Sequence, residues 1–316
     1  MTLGSLFSGG GGWELAGVSL GLVPRFGVEL DPVVADHYVR VFGDLVCRED
    51  VTSLDFDALF PVRVLAASPP CQPTSKSGAQ ARARKRAAGL SDAALPGSLC
   101  DPTVGLRTVD AAATLLPRAV VIENSDAYLK TRVCAEIIAG LRDIGYTVDA
   151  RVLDAADHGA PSSRRRTIIR AVRGPLRAWP ETRARCSWLD AIRDLIAGLP
   201  VCALAPWQAE ALRVNPAPAG VPLLIAGGNP ARNSAGYVVW RTPDQPSWVI
   251  QKAPNVSGMR VVDAEGVVRR VSPRVVARLM GFPDTYPLPD DSSRALSLMG
   301  NAIPYPLACA ILASVL

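Results

Sequence analysis

Short β-like runs alternate with helical stretches through the first part of this chain, and few folds accept that pattern. TLGSLF (2–7) precedes WELAGVSLG, RFGVEL (25–30) precedes PVVADHYVRVF, and VRVLAA (62–67) runs into a pair of prolines. RAVVIEN (118–124) precedes RVCAEIIAGLRDIG, and GYTVDARVL (145–153) is followed by RTIIRAV (166–172). Strands separated by helices of this length form βαβ units, so the expected fold is α/β, with a mostly parallel sheet covered on both faces. From about residue 174 the periodicity fades as Pro, Gly and Trp rise. It returns at 261–316 with VSPRVVARLMGF and PLACAILASVL, both expected to be helices. A second module is therefore expected to interrupt the first. With 316 residues there is room for about two domains.

The unusual residues fall at the ends of the expected strands. Glycines 9–12 follow the first, Glu29 ends the second, Cys71 follows a third, and Glu123 and Asn124 end a fourth. Ligands of open α/β sheets bind outside the carboxyl ends of the strands, so one crevice can collect all four features. The glycine run allows close backbone approach, and the helix start behind it favours a carboxylate or other anion. No register of residues 9–17 reads G-x-G-x-x-G, and Gly17 is followed by Val18 rather than Lys, so a Walker pattern fails too. Glu29, about twenty residues on, suits a ribose diol, and Asp50 suits an adenine amino group. A nucleoside bearing a carboxylate and no phosphate fits these parts, S-adenosylmethionine among them; a dinucleotide fits less well.

Cys71 stands in ASPPCQPTS. Prolines fix φ and remove donors, so neither strand nor helix continues there, and the thiol sits on a stiff turn. Either a nucleophile or a packed thiol suits that position. Seven cysteines without a C-x-x-C pair point to reduced thiols and a cytoplasmic setting. Two histidines leave little for a zinc site or for His-based catalysis, and no metal is expected. The net charge of +5 is compatible with nucleic acid. The start MTLGSLFSGGGG lacks a signal-peptide pattern. No apolar run approaches the ~20 residues of a membrane span, so no membrane association is expected.

Taken in order, the motifs resemble those of the DNA (cytosine-5)-methyltransferase family. LFSGGGG resembles its S-adenosylmethionine-binding glycine loop, VELD its ribose-binding acid, EDVT its adenine-contacting Asp, and PPCQPTS its nucleophile motif. IENS resembles its Glu-Asn-Val, HGAPSSRRR a motif that usually reads Gln-x-Arg-x-Arg, and RRVSPRVVARLMGFPD and MGNAIP its two late motifs. Ser125, Ser162, Val275 and Met280 stand where the family usually has Val, Gln, Glu and Gln.

The resemblance implies a Rossmann-like methyltransferase sheet carrying a small inserted target-recognition domain. The implied division is a catalytic domain at 1–185, the recognition domain at 186–260, and a return segment at 261–316. S-adenosylmethionine would be bound by Phe7, Gly9, Gly11, Gly12, Trp13, Glu29, Leu30, Asp50, Val51, Pro70 and Asn301. Cys71 would attack C6 of cytosine, which answers why a thiol is held on a proline turn. Glu123 would hold N3 and the exocyclic amine. Arg164 and Arg166, two apart at a strand start, are expected to share one face, contact O2 and favour the Cys71 thiolate.

The implied partner is double-stranded DNA, with the target base flipped out. Gln72, Ser75 and the basic residues Arg82, Arg84, Lys85 and Arg86 of the segment 77–92 would meet it beside the nucleophile. RTPDQPSWVIQ (241–251) resembles the stretch ahead of the late motifs. That leaves about 186–240, with Arg232 and Asn233 in GNPARNSAG, as the variable readout region. A bacterial or phage-encoded monomer is expected. Rival readings are a transfer-RNA methyltransferase of the same fold and a non-catalytic DNA-binding relative. An NAD-dependent oxidoreductase is disfavoured by the glycine register.

Overall fold

The computed structural model describes residues 1–70, 101–228, 238–250 and 256–316. It divides into two compact units. The first takes Met1–Leu153, Arg165–Pro180 and Ala308–Leu316; the second takes Asp154–Arg164 and Glu181–Leu307.

The first unit is built on a seven-stranded sheet. Its strands are β1 (Thr2–Leu6), β2 (Val23–Val28), β3 (Val46–Cys47), β4 (Val64–Ala67), β5 (Ala119–Ser125), β6 (Thr147–Asp154) and β7 (Arg165–Val172), in the order β3-β2-β1-β4-β5-β7-β6. β1 pairs in parallel with β2 and β4, β2 with β3, and β4 with β5, whereas β7 runs antiparallel to β5. Every residue of β4 and β5 is buried, as expected of central strands with apolar side chains on both faces.

The helices of this unit are α1 (Gly12–Ser19), α2 (Pro32–Phe42), α3 (Arg107–Leu115) and α4 (Arg132–Asp143). α2 starts where Asp31 accepts from the amides of Val33 and Val34 with Pro32 in the first turn, and it stops at Gly43. In α4 the inward stripe is Val133, Cys134, Ile137 and Leu141, which joins Leu65, Ala67 and Ile122 of the sheet in one core. Truncating a residue such as Ile137 to Ala would cost about 2–5 kcal/mol.

The second unit holds a four-stranded antiparallel sheet of β8 (Leu223–Ile225), β9 (Trp240–Arg241), β10 (Arg260–Val262) and β11 (Val268–Arg270), in the order β11-β10-β8-β9. Its helices are α5 (Trp188–Ile192), α6 (Pro206–Val214), α7 (Pro273–Leu279) and α8 (Ser292–Asn301); α9 (Tyr305–Ala313) follows across the division. The buried Gln208 side chain donates to the carbonyls of Ala226 and Gly258 and accepts from the amide of Ala205, fastening α6 to the strands.

β10, β11, α7 and α8 group with 181–260 in the second unit, and Ala308–Leu316 groups with the first. The reason is pairing: β10 lies between β8 and β11, so the late segment is part of the second sheet. Ser292–Ala313 is long and apolar enough for a membrane span by length and composition alone, with a mean hydropathy of 1.5. It forms two helices broken at 302–304, and 61% of its apolar window is buried inside the protein.

Candidate active site

β1 has β2 on one side and β4 on the other, so the chain winds in opposite directions from it. A crevice opens at such a switch point, outside the carboxyl ends of the strands. The glycine loop leaves β1 there, Glu29 leaves β2, Ser68–Pro70 leaves β4, and Glu123 lies near the end of β5.

The loop turns through left-handed conformations at Phe7 (φ 55°), Gly9 (φ 56°) and Gly11 (φ 77°). Gly11 is required twice over, since a Cβ there would lie 2.1 Å from the Phe42 ring. A Cβ at Gly9 would meet nothing within 4 Å, so the backbone there is open to a ligand. The Gly9 amide donates to Glu29 Oε2 and the Asp31 amide to Glu29 Oε1, each at 2.9 Å. Burial raises the Glu29 carboxyl above its usual range, and these two amides counter that shift. Asp50 Oδ1 accepts from the amide and the hydroxyl of Thr52 at 2.9 and 2.8 Å.

Carboxylate oxygens have further lone pairs. Glu29 can accept from a diol and Asp50 from an amino group, so the donor set fits a nucleoside with its own carboxylate toward the start of α1. Leu30 is exposed beside them. Val51 is buried, and its carbonyl accepts from Arg107 Nε at 3.0 Å while Leu54 O accepts from the same guanidinium. Arg107 thus holds the Asp50 loop, a role the sequence did not signal because the two segments are distant in the chain.

The Trp13 ring is 2% exposed, and its Nε1 donates to Ser68 Oγ at 3.1 Å, tying α1 to the turn that leads toward Cys71. Below the loop lies a buried polar cluster. Ser5 Oγ donates to Glu14 and contacts Ser8 Oγ, and the Ser8 amide donates to Val28 O. Burial pushes the Glu14 carboxyl up to about 7, against the lowering effect of Ser5, and the Tyr38 hydroxyl interacts with it.

At β5 the buried Asn124 side chain donates to Pro69 O at 3.0 Å and accepts from the Ser125 amide at 2.8 Å. It fixes the approach to Cys71 from the neighbouring strand. Arg166 Nε donates to Glu123 Oε1 at 2.7 Å, with Ser125 directly opposite Arg166 in the β5–β7 register.

Arg164 does something else. β7 begins at Arg165, so Arg164 precedes the strand, and its guanidinium donates to Ile250 O and, at 2.8 Å, to Gly300 O. It is 3% exposed and belongs to the second unit, as does Asn301 at the end of α8. Pro70 is the last described residue before the nucleophile. Cys71, Gln72, Ser75, Arg82, Arg84, Lys85, Arg86, Arg232 and Asn233 lie outside the described residues.

A family model described as C-5 cytosine-specific DNA methylase matches residues 1–187 and 229–316. The chain belongs to that family. Among curated relatives, the type II methyltransferase M.AplI of Arthrospira platensis is 27% identical over 322 residues, covering 98% of this chain and 84% of the relative. M.NaeI of Lentzea aerocolonigenes is 28% identical, covering 96% and 72%. Two solved structures share the fold: Spodoptera frugiperda DNMT2, at TM-score 0.71, 18% identity and 99% coverage of both chains, and S. pombe Dnmt2, at TM-score 0.64 and 19% identity over 99% and 97%. The mixed seven-stranded sheet is thus the Rossmann-like sheet of a C-5 cytosine-specific DNA methylase, and the chain is a DNA cytosine-5 methyltransferase. Among its described residues no three His, Cys, Asp or Glu side chains gather as a metal site would need.

Proposed function

We propose that the protein methylates C5 of a cytosine flipped out of duplex DNA, using S-adenosylmethionine and a transient bond from Cys71 to C6. The observation that carries this reading is the buried Glu123–Arg166 pair on β5 and β7. It lies beside the β4 turn leading into Cys71, at the same sheet end as the glycine loop and Glu29.

Cytosine C5 is a poor nucleophile until a group adds at C6. The Cys71 thiolate forms that bond while Glu123 delivers a proton to N3, leaving an enamine with electron density on C5. Arg166 holds the Glu123 carboxyl in place and presents a cation for charge developing at O2. S-adenosylmethionine, when bound, supplies a methyl carbon on a sulfonium. Gly9, Glu29 and Asp50 would hold its nucleoside. C5 would take the methyl group as its bond to the sulfonium sulfur breaks and the neutral thioether departs; a base removes the C5 proton, the thiolate leaves from C6 and the N3 proton returns to Glu123, which restores the ring.

The base must leave the stack for this attack. The basic segment 77–92 is assigned to the backbone of the opened duplex and the region 186–240 to sequence readout. The family model leaves 188–228 unmatched, which supports a variable segment there. The curated relatives are type II methyltransferases, which favours a modification enzyme acting on a defined DNA site.

Incubation with labelled S-adenosylmethionine and either duplex DNA or a transfer-RNA pool, followed by nucleoside analysis, tests the reading. Labelled 5-methylcytosine is expected from the DNA. Label only in the RNA would overturn it in favour of the RNA-methylating branch, and no transfer to either would remove the catalytic assignment.

A further inference from the structure

A row of arginines crosses the opposite end of the first unit's sheet. The amide of Arg63 donates to Thr2 O, that of Ala119 to Arg63 O, and that of Arg173 to Arg118 O. With Val64 opposite Ala119 and Ala119 opposite Val172, this places Arg63, Arg118 and Arg173 side by side on adjacent strands just beyond β4, β5 and β7. Neighbours in such a register have Cβ atoms about 5 Å apart and project to one face, where like charges repel. All three are exposed, and among the described residues none has an ion pair. The exposed Arg177 lines a shallow pocket with Arg118, Arg173, Val315 and Leu316.

Arg173 donates to Ile144 O at 3.3 Å and covers the Tyr146 ring at 4.6 Å, whereas among the described residues Arg63 and Arg118 show no such side-chain contact. Guanidinium groups are planar forks suited to phosphate oxygens. Three within roughly 10 Å match a backbone carrying one negative charge per ~1.7 Å of helix axis. Between this edge and the crevice run the lengths of β4 and β5, roughly 15 Å at ~3.3 Å per residue. The row lies at the amino ends of β4 and β5 and the crevice at their carboxyl ends, so the two face opposite ends of the sheet.

We infer that the Arg63–Arg118–Arg173 row is a second DNA-binding surface, which takes the phosphate backbone of a duplex segment other than the one being methylated. Duplex DNA is favoured over other polyanions because an enzyme already bound at a site holds flanking DNA at high local concentration. The inference rests on the DNA substrate proposed above only for the identity of the first duplex.

The test anchors a short one-site duplex to a surface, saturates it with protein, and adds a labelled site-free duplex over a range of salt. Wild type is expected to capture the second duplex. The Arg63→Ala/Arg118→Ala/Arg173→Ala variant should lose most of that capture and flatten its log–log salt dependence by about 2–3, at ~0.9 per phosphate contact. A triple Lys variant should retain capture, because the charge persists. Methylation of the anchored duplex should stay within about twofold throughout, since none of the three arginines touches the crevice. Equal capture by the Ala variant, equal loss in the Lys variant, or preferential capture of an RNA duplex or polyglutamate would each overturn the inference. Absent methylation with capture behaving as expected would count against the proposed reaction alone.

Discussion

Arg166 Nε donates to Glu123 Oε1 at 2.7 Å across two antiparallel strands, and both side chains are largely buried. Removing one partner of a buried pair leaves an uncompensated charge, at a cost of about 3–5 kcal/mol. Arg166→Ala should therefore lose stability as well as activity. Glu123→Gln keeps the shape but can no longer carry a proton to N3 and leaves Arg166 without its anion, so kcat should fall about 10²–10⁴-fold with some loss of stability, while S-adenosylmethionine binding is unchanged. Calorimetry beside single-turnover assays separates the two. A Glu123→Gln enzyme with normal turnover would end the proton-donor assignment.

Cys71→Ser should abolish methyl transfer and leave cofactor affinity intact, because the proposed contact is with the base. DNA carrying 5-fluorocytosine should trap wild type at Cys71, since fluorine at C5 cannot leave as a proton. Peptide mapping of the adduct reads the outcome directly, and a trapped peptide elsewhere would reassign the nucleophile.

For Arg164 the expected failure is structural. Its guanidinium serves the carbonyls of Ile250 and Gly300, and each buried carbonyl left without a donor costs about 1–3 kcal/mol. Arg164→Ala should lower the Tm clearly. A variant with wild-type Tm but impaired turnover would instead return Arg164 to the base-contacting role.

Glu29→Ala and Asp50→Ala should each weaken S-adenosylmethionine by about 1–3 kcal/mol, the range for hydrogen bonds to charged groups. Glu29→Ala also releases the amides of Gly9 and Asp31, so it should be the less stable of the two. Titration calorimetry gives the affinities; unaltered binding in both would remove the nucleoside assignment.

Two buried groups pull stability in opposite directions with pH. Glu14 is raised from 4.5 to about 7 by burial, so its contribution is full below 4.5 and is lost as pH rises through about 7. His37 is lowered from 6.5 to about 4 by burial and then by Arg40, so its contribution is present above 6.5 and lost as pH falls toward 4. Wild type should show little net slope from these groups between 4.5 and 6.5. Glu14→Gln should make stability rise with pH across that window, and His37→Gln should make it fall, each by about 2–3 kcal/mol at ~1.4 kcal/mol per unit. Denaturant midpoints at stepped pH provide the check, and parallel curves for all three proteins would refute both assignments.

The sequence by itself determined the features that are local in the chain. Apolar runs such as 62–67 and 118–124 became central strands, because burial of both faces needs only that each run be apolar. Glycines 9–12, Glu29, Pro70 and Glu123 could be placed at strand ends, because each sits within a few residues of the run it terminates. Tertiary structure alone decided what depends on register between distant strands. Arg164 and Arg166 look equivalent two residues apart. Only the start of β7 at Arg165 and its pairing with β5 give one to Glu123 and the other to the carbonyls of Ile250 and Gly300. The same holds for Trp13, turned inward to Ser68, and for Arg107, which reaches back to Val51. It holds too for residues 261–307, drawn into the second unit by the pairing of β10 with β8. Hydrogen-bond partners more than a few residues apart are chosen by how strands align, and that alignment is a property of the packed sheet rather than of any segment within it.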